Sequence, residues 1–239
     1  MKKSIYSSSH YMITRSVILI LILILFSNCT STTEEEGIDE VAEFYNCQVS
    51  FTKGISASTS DDDGSYFEIT LSGDHLKKYN LEDVAKNAAR IFFLSLNDDE
   101  KEQYNYISVI VEAENKSIGL KSTKEDLALI ISKQKLYFDI SEFIKNNNYE
   151  KFFNLLNPDV LSEIDKDTMS FKLNQIEPNF GKITETIILG YDFIETEYNN
   201  KSLSLIRFKG IQKCEKQNLN FLIVTSREKE DNLIYGFKF

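Results

Sequence analysis

The residue types with the widest chemical reach are scarce in this chain. Only two histidines occur, His10 and His75, and His75 stands in Ser72-Gly73-Asp74-His75. Serine, histidine and aspartate are the parts of a nucleophilic triad, in which the imidazole takes the hydroxyl proton and the carboxylate orients the ring. Here they are adjacent in sequence at what reads as a strand end, without the strained turn that exposes a nucleophile. A surface histidine in a turn accounts for the pattern. Asp61-Asp62-Asp63-Gly64 brings carboxylates together. A calcium loop needs about six to eight oxygens, supplied at alternate positions, and a closing Glu roughly six residues after the Gly. Thr59 fills the alternate slot before Asp61 and Thr70 the closing position. The stretch therefore reads as a solvated hairpin loop. None of the nine glycines lies in a phosphate-cradling motif. A zinc site needs three or four ligands at defined spacing, which His75 and the two distant cysteines Cys47 and Cys214 do not supply. Neither cofactor nor metal is expected, and no catalytic residue is nominated.

The three cysteines are Cys29, Cys47 and Cys214. Cys29 follows ten uninterrupted apolar residues, Val17–Phe26, themselves preceded by Lys2, Lys3 and Arg15 with no acidic residue. Charge, apolar run and small polar residues in that order read as a lipoprotein signal peptide, with an uncleaved N-terminal anchor helix or an ordinary secretory signal as the alternatives. The run falls short of the roughly 20 apolar residues that span a bilayer. Phe26-Ser27-Asn28-Cys29 resembles the end of a bacterial lipoprotein signal, although that family usually has Leu at the first of these positions and Gly, Ala or Ser at the third. Met12–Cys29 alone would form a signal of the same kind. The resemblance implies that Cys29 receives a diacylglycerol and becomes the first residue of the mature chain, lipid-anchored in a bacterial cell envelope and facing periplasm or exterior. Two or more acyl chains hold a protein to a membrane stably, at ~0.8 kcal/mol per buried methylene. Once Cys29 is used, Cys47 and Cys214 form an even pair that an oxidising compartment can join in a disulfide. The alternative is two buried thiols acting as small apolar side chains.

Residues 29–239 keep 24 basic and 37 acidic side chains, a net charge of −13. Such a surface repels phosphate backbones, so nucleic acid is not an expected partner. About 210 residues suffice for one large or two small domains.

The elements that would position these residues follow from periodicity. Thr30–Asp39 is almost without apolar side chains and reads, within residues 29–43, as a disordered tether that reaches about 35 Å when extended. Residues 44–121 read as a small ββαββ unit. Cys47, Val49 and Phe51 alternate with polar neighbours, as do Phe67, Ile69 and Leu71, which predicts two strands. Leu81–Leu96 has helical spacing behind the cap pair Asn80 and Asp83. Ile107, Val109 and Val111 give a third strand and Ser117–Leu120 a fourth. Residues 122–239 open with a long helix capped by Ser122 and Glu125 and broken at Asn146-Asn147-Asn148. Tyr149–Leu156 is a second helical piece, and a third runs from Asp167 to about Ile176, where Pro178 stops it. Four strands follow over Ile183–Ile194, Leu203–Cys214, Leu219–Thr225 and Leu233–Phe239, with turns short enough to force antiparallel neighbours. Helices followed by a strand meander predict an α+β layer with helices on one face of a curved sheet.

Phe143–Phe152, Leu161–Ile176, Asn179-Phe180-Gly181-Lys182-Ile183 and Ile234-Tyr235-Gly236-Phe237 together resemble a cystatin-like domain of the nuclear-transport-factor-2-like superfamily, as attached to envelope lipoproteins. The resemblance covers about the last hundred residues. It implies a cone-shaped sheet that can enclose a pocket, for which Phe143, Phe152, Phe153, Ile187, Leu189, Leu205, Phe221, Ile223 and Tyr235 are the candidate lining residues. Those side chains either fill the core or enclose a pocket. The function expected is a membrane-anchored, non-catalytic lipoprotein that binds a protein partner or an envelope ligand. Two alternatives remain open. One is an immunity or inhibitor lipoprotein whose acidic surface attracts a basic toxin; the other is a small enzyme or carrier using the conical pocket.

Overall fold

The computed structural model describes residues 30–56, 64–198 and 201–239. The signal segment, Cys29 and Asp61–Asp63 lie outside the described residues.

The chain is an α+β protein built on two four-stranded sheets. It opens with α1 (Thr32–Tyr45), where a flexible tether was expected. Ser31 and Glu34 form a reciprocal capping box, and Ile38, Val41 and Tyr45 recur on one face and are buried. Three consecutive glutamates hide this helix from a composition-based reading, yet acidic residues in a first turn favour the helix dipole. Asn46, at φ 48°, ends it in the left-handed conformation that asparagine tolerates.

The hairpin β1 (Gln48–Ser56) and β2 (Gly64–Ser72) pairs antiparallel, with Phe51 opposite Ile69. After a short 3-10 turn at Asp74–Lys78 come α2 (Leu81–Ser95) and α3 (Asp98–Gln103). They cross to β3 (Tyr106–Ala113), which pairs parallel to β2, and β4 (Lys116–Thr123) closes the sheet antiparallel. The first core lies between this sheet and the helices α1 and α2. Phe67, Ile69 and Leu71 from β2 and Val109 and Val111 from β3 are wholly buried against Val41, Ala88 and Phe92.

The 22-residue helix α4 (Lys124–Lys145) joins the halves. Its cap is Thr123, whose side chain accepts from the Asp126 N–H, one residue beyond the expected Ser122; Ser122 is buried at the end of β4. Leu127 belongs to the first core, whereas Ile130, Leu136, Tyr137, Ile140 and Ile144 belong to the second. Four short helices follow: α5 (Tyr149–Phe153), α6 (Pro158–Ser162), α7 (Lys166–Asn174) and α8 (Ile176–Phe180). Pro158 starts α6, at the first-turn position where its missing N–H costs nothing. The cap of α7 is Asp165, not Asp167. Pro178 lies within the first turn of α8 and does not terminate the helical region.

β5 (Ile183–Tyr198), β6 (Lys201–Cys214), β7 (Leu219–Ser226) and β8 (Ile234–Lys238) form an antiparallel meander in sequence order. α4 covers its inner face, which carries Ile188, Tyr191, Phe208, Phe221 and Ile223. The Tyr137 ring packs 4.6 Å from that of Phe221, and its hydroxyl donates to the Phe221 carbonyl at 3.2 Å. Among the described residues no helix is long and apolar enough to cross a membrane.

Candidate functional site

Three constellations bring reactive or charged side chains together. The first surrounds Gly73, where Cys47, Asp74 and His75 line one hollow. The His75 Nε2–H donates to the Tyr45 carbonyl at 2.8 Å, so that nitrogen is spent on holding the turn to α1. Burial pushes the Cys47 thiol up, away from the thiolate that attacks or ligates. Of the two readings of Cys47 and Cys214, a disulfide or two unpaired thiols, the structure has the second. Both thiols are free; Cys47 packs on the first core and Cys214 on the second. Burial raises the Cys214 thiol as well. Among the described residues no group of three or more His, Cys, Asp or Glu is placed to hold a metal.

The second constellation fastens the two halves. Outward-facing Arg207 and Lys209 of β6 meet Asp192 of β5 and the first turns of α2. Asp192 accepts from Arg207 Nη2 at 2.6 Å, Lys209 Nζ at 3.0 Å and Lys86 Nζ at 3.2 Å. Lys209 also pairs with Asp83. Burial opposes the charge of Asp192, but these donors outweigh it and hold its carboxyl at about 2. Gly190 permits the close approach, since a Cβ there would meet that of Asp83 at 2.7 Å. Every charge is matched, which describes a clamp.

The third constellation is a cleft of about 670 Å³ where the far end of α2 diverges from the same outer face of the second sheet. Its floor is Ile187 and Leu189 of β5 with Ile211 of β6; its walls are Phe44 of α1, Tyr79, and Ile91 and Leu94 of α2. Phe44, Tyr79 and Leu94 are 37%, 37% and 45% exposed, half of the large apolar side chains that stand exposed among the described residues. At the base lies Arg90, only 6% exposed. Its Nε donates to Asn87 Oδ1 at 2.9 Å and its Nη1 to Gln134 Oε1 at 2.6 Å. Asn87 is in turn fixed by donating to the Tyr45 hydroxyl at 3.0 Å. Both acceptors of Arg90 are neutral amides. Burial therefore pushes the guanidinium below its ordinary range.

The residues nominated for a conical pocket divide between these surroundings. Phe152, Phe153, Phe221 and Ile223 are buried in the second core, and Leu205 is buried too; Phe143 packs on that core from its edge, and Tyr235 is half-buried. Ile187 and Leu189 face the opposite way. A register shift between Ile188 and Gly190 leaves Leu189 without a partner across the ladder, so Ile188 and Tyr191 both turn inward. Sequence reasoning missed Arg90, Phe44, Tyr79 and Leu94. The signal was present in α2, where an arginine stands among apolar positions at helical spacing.

No protein-family model, curated protein or solved structure matches this chain.

Proposed function

We propose that this chain is a lipid-anchored bacterial envelope lipoprotein without a catalytic role, which binds an envelope ligand or protein partner in the cleft between its two halves. The anchor is a diacylglycerol on Cys29, exposed when the segment before it is removed. Residues 122–239 act as a cystatin-like layer, a reading supported by one long helix laid across a four-stranded antiparallel meander. Residues 44–121 act as the smaller ββαββ unit, with the short α3 between α2 and β3 and with α1, which precedes the unit, packed on its core. The observation that carries the binding reading is the cleft itself. It is concave, lies between two packed units, and sets an apolar floor and walls beside the buried Arg90, with Glu40, Glu43, Glu185 and Lys213 also lining it, the mix of apolar surface and a few polar groups that ligand sites commonly have.

Two measurements test this. Mass spectrometry of the full chain purified from membranes is expected to show a first residue, Cys29, carrying diacylglycerol, and a Cys29→Ser variant without lipid; an intact Met1 in the purified protein overturns the anchor. Native mass spectrometry of the same preparation is expected to show a bound mass that Leu94→Glu, which places a charge on the cleft wall, removes. A bound mass unaffected by Leu94→Glu overturns the cleft as the binding site.

A further inference from the structure

We infer that the cleft takes a small amphiphile with one compact monoanionic head, a carboxylate, seated on Arg90, and an apolar body lying on Ile187, Leu189 and Leu94. The inference rests on the cleft being a ligand site and adds the chemistry of its occupant.

The argument starts from Arg90. A buried charge is ordinarily paired, because taking an ion out of water costs several kcal/mol that only a counter-ion and full hydrogen bonding return. Among the described residues Arg90 makes no ion pair, although the chain has a large excess of carboxylates. Nε and Nη1 are held by Asn87 and Gln134, which fix the plane of the guanidinium. Nη2 has no hydrogen-bond acceptor among the described residues, and Arg90 lines the cleft. A guanidinium fixed on two nitrogens and open on the third is a preset receptor for a planar oxyanion.

The rim argues for a single charge. Glu40 accepts from Ser95 Oγ at 2.8 Å, and Glu185 is neutralised by Lys213 at 2.8 Å. Glu43 also lines the opening. The approach is thus acidic overall while the base is cationic. A monoanion gains the pairing with Arg90; a dianion such as a phosphate monoester meets more repulsion from Glu40 and Glu43. The apolar floor and walls then require an apolar body behind the head. About 670 Å³ holds a ligand of drug size.

The test uses the full chain in lipid nanodiscs, with heats from empty nanodiscs subtracted. Calorimetric titrations with 1-naphthylacetate, its primary amide and 1-naphthyl phosphate separate head charge from body. The acid is expected to bind roughly tenfold or more tighter than the amide, the worth of one charge-assisted pair, and tighter than the phosphate. Arg90→Met is expected to bring acid and amide to equal affinity, at a cost in melting temperature because the Asn87 and Gln134 amide oxygens lose their donor. Gln134→Glu, which retains Arg90 but gives it an internal counter-ion, is expected to abolish the preference in the same way, and it decides the matter should Arg90→Met fold poorly. Leu94→Glu is expected to weaken acid and amide alike. Equal affinities of acid and amide for the native chain, a preference that survives Gln134→Glu, or tighter binding of the phosphate overturns the anion assignment while the cleft stands. Absence of binding by both acid and amide overturns the assignment and the cleft together.

Discussion

Asp192 sits where three cations converge, and its environment ties stability to pH. Its folded carboxyl titrates at about 2, below the ~3.9 of an unfolded chain. The unfolded state therefore binds its proton first as pH falls. The contribution of Asp192 is complete above about pH 4 and is lost as pH falls through about 2, a loss of up to roughly 2 kcal/mol. With the side chain 19% exposed, solvent screening removes only part of this. Urea midpoints of the native chain are expected to fall between pH 4 and pH 2, and those of Asp192→Asn to fall less over the same interval; parallel curves would show that Asp192 contributes nothing. Lys133 is a different case, a lysine 1% exposed whose ammonium is held by backbone rather than by acids. It donates to the carbonyls of Glu228, Lys229 and Asp231 at 2.7, 3.1 and 2.6 Å and to Asn232 Oδ1 at 3.2 Å. Burial lowers its pKa, with Asp231, Glu230 and Glu228 acting the other way. Four acceptors on the β7–β8 loop converge on one donor. Lys133→Met is expected to leave them unpaired and destabilise the fold by roughly 2–3 kcal/mol, seen in urea unfolding, with faster amide exchange confined to residues 228–232.

At the scale of elements, α1 shows what a composition-based reading hides and what a pattern-based one retains. Thr30–Asp39 is polar enough to pass for a tether, but Ser31 and Glu34 are a capping pair, and Ile38, Val41 and Tyr45 continue the stripe. The polar residues are themselves used. Tyr104 donates to Glu34 and Lys53 pairs with it, while Ser31 and Thr33 donate to Glu100. Burial opposes the charge of Glu100, yet hydrogen bonds from Ser31, Thr33 and the Asn97 N–H hold it below the ordinary carboxylate range. Ser31→Ala is expected to cost about 1 kcal/mol and to speed amide exchange across Thr32–Tyr45, and a tether would show no such change. The strands were legible in the sequence because each half-buried strand shows its period of two directly; the parallel pairing of β2 with β3 was not, since parallel order is set by the crossover through α2 rather than by either strand. Helix caps were displaced by a residue or two, as at Thr123 and Asp165, where several small polar residues compete. The contact of α2 with β5 was likewise illegible locally, because it depends on Gly190 having no side chain. Gly190→Ala is expected to push α2 off the sheet, weakening the Asp83–Lys209 pair and lowering stability by roughly 1–3 kcal/mol, measured by urea unfolding.

For the whole molecule, the candidate site was hidden because it is assembled from both halves. Phe44, Tyr79, Arg90 and Leu94 come from the first half and Ile187, Leu189 and Ile211 from the second. Each segment taken alone reads as ordinary amphipathic pattern, and Ile187 and Leu189 read as core until the bulge at Leu189 reverses their face. The same assembly changes what an anchor at Cys29 would do. With the helix cap at Ser31, only Thr30 separates Cys29 from the folded body, a reach of about 7 Å where a tether of ten residues would give about 35 Å. A lipid on Cys29 therefore holds the end bearing Ser31, Lys53 and Glu100 close to the headgroups, and the body cannot sample many orientations. Neutron reflectometry of the full chain on a supported bilayer is expected to find the protein layer within about 10 Å of the headgroups. A flexible Gly/Ser insert of about 20 residues between Thr30 and Ser31 is expected to open a hydrated gap of roughly 25 Å. A broad, distant protein layer in the native chain, indistinguishable from that of the insert, would mean that α1 is released from the body at the membrane and that the Glu34 and Glu100 contacts do not hold there.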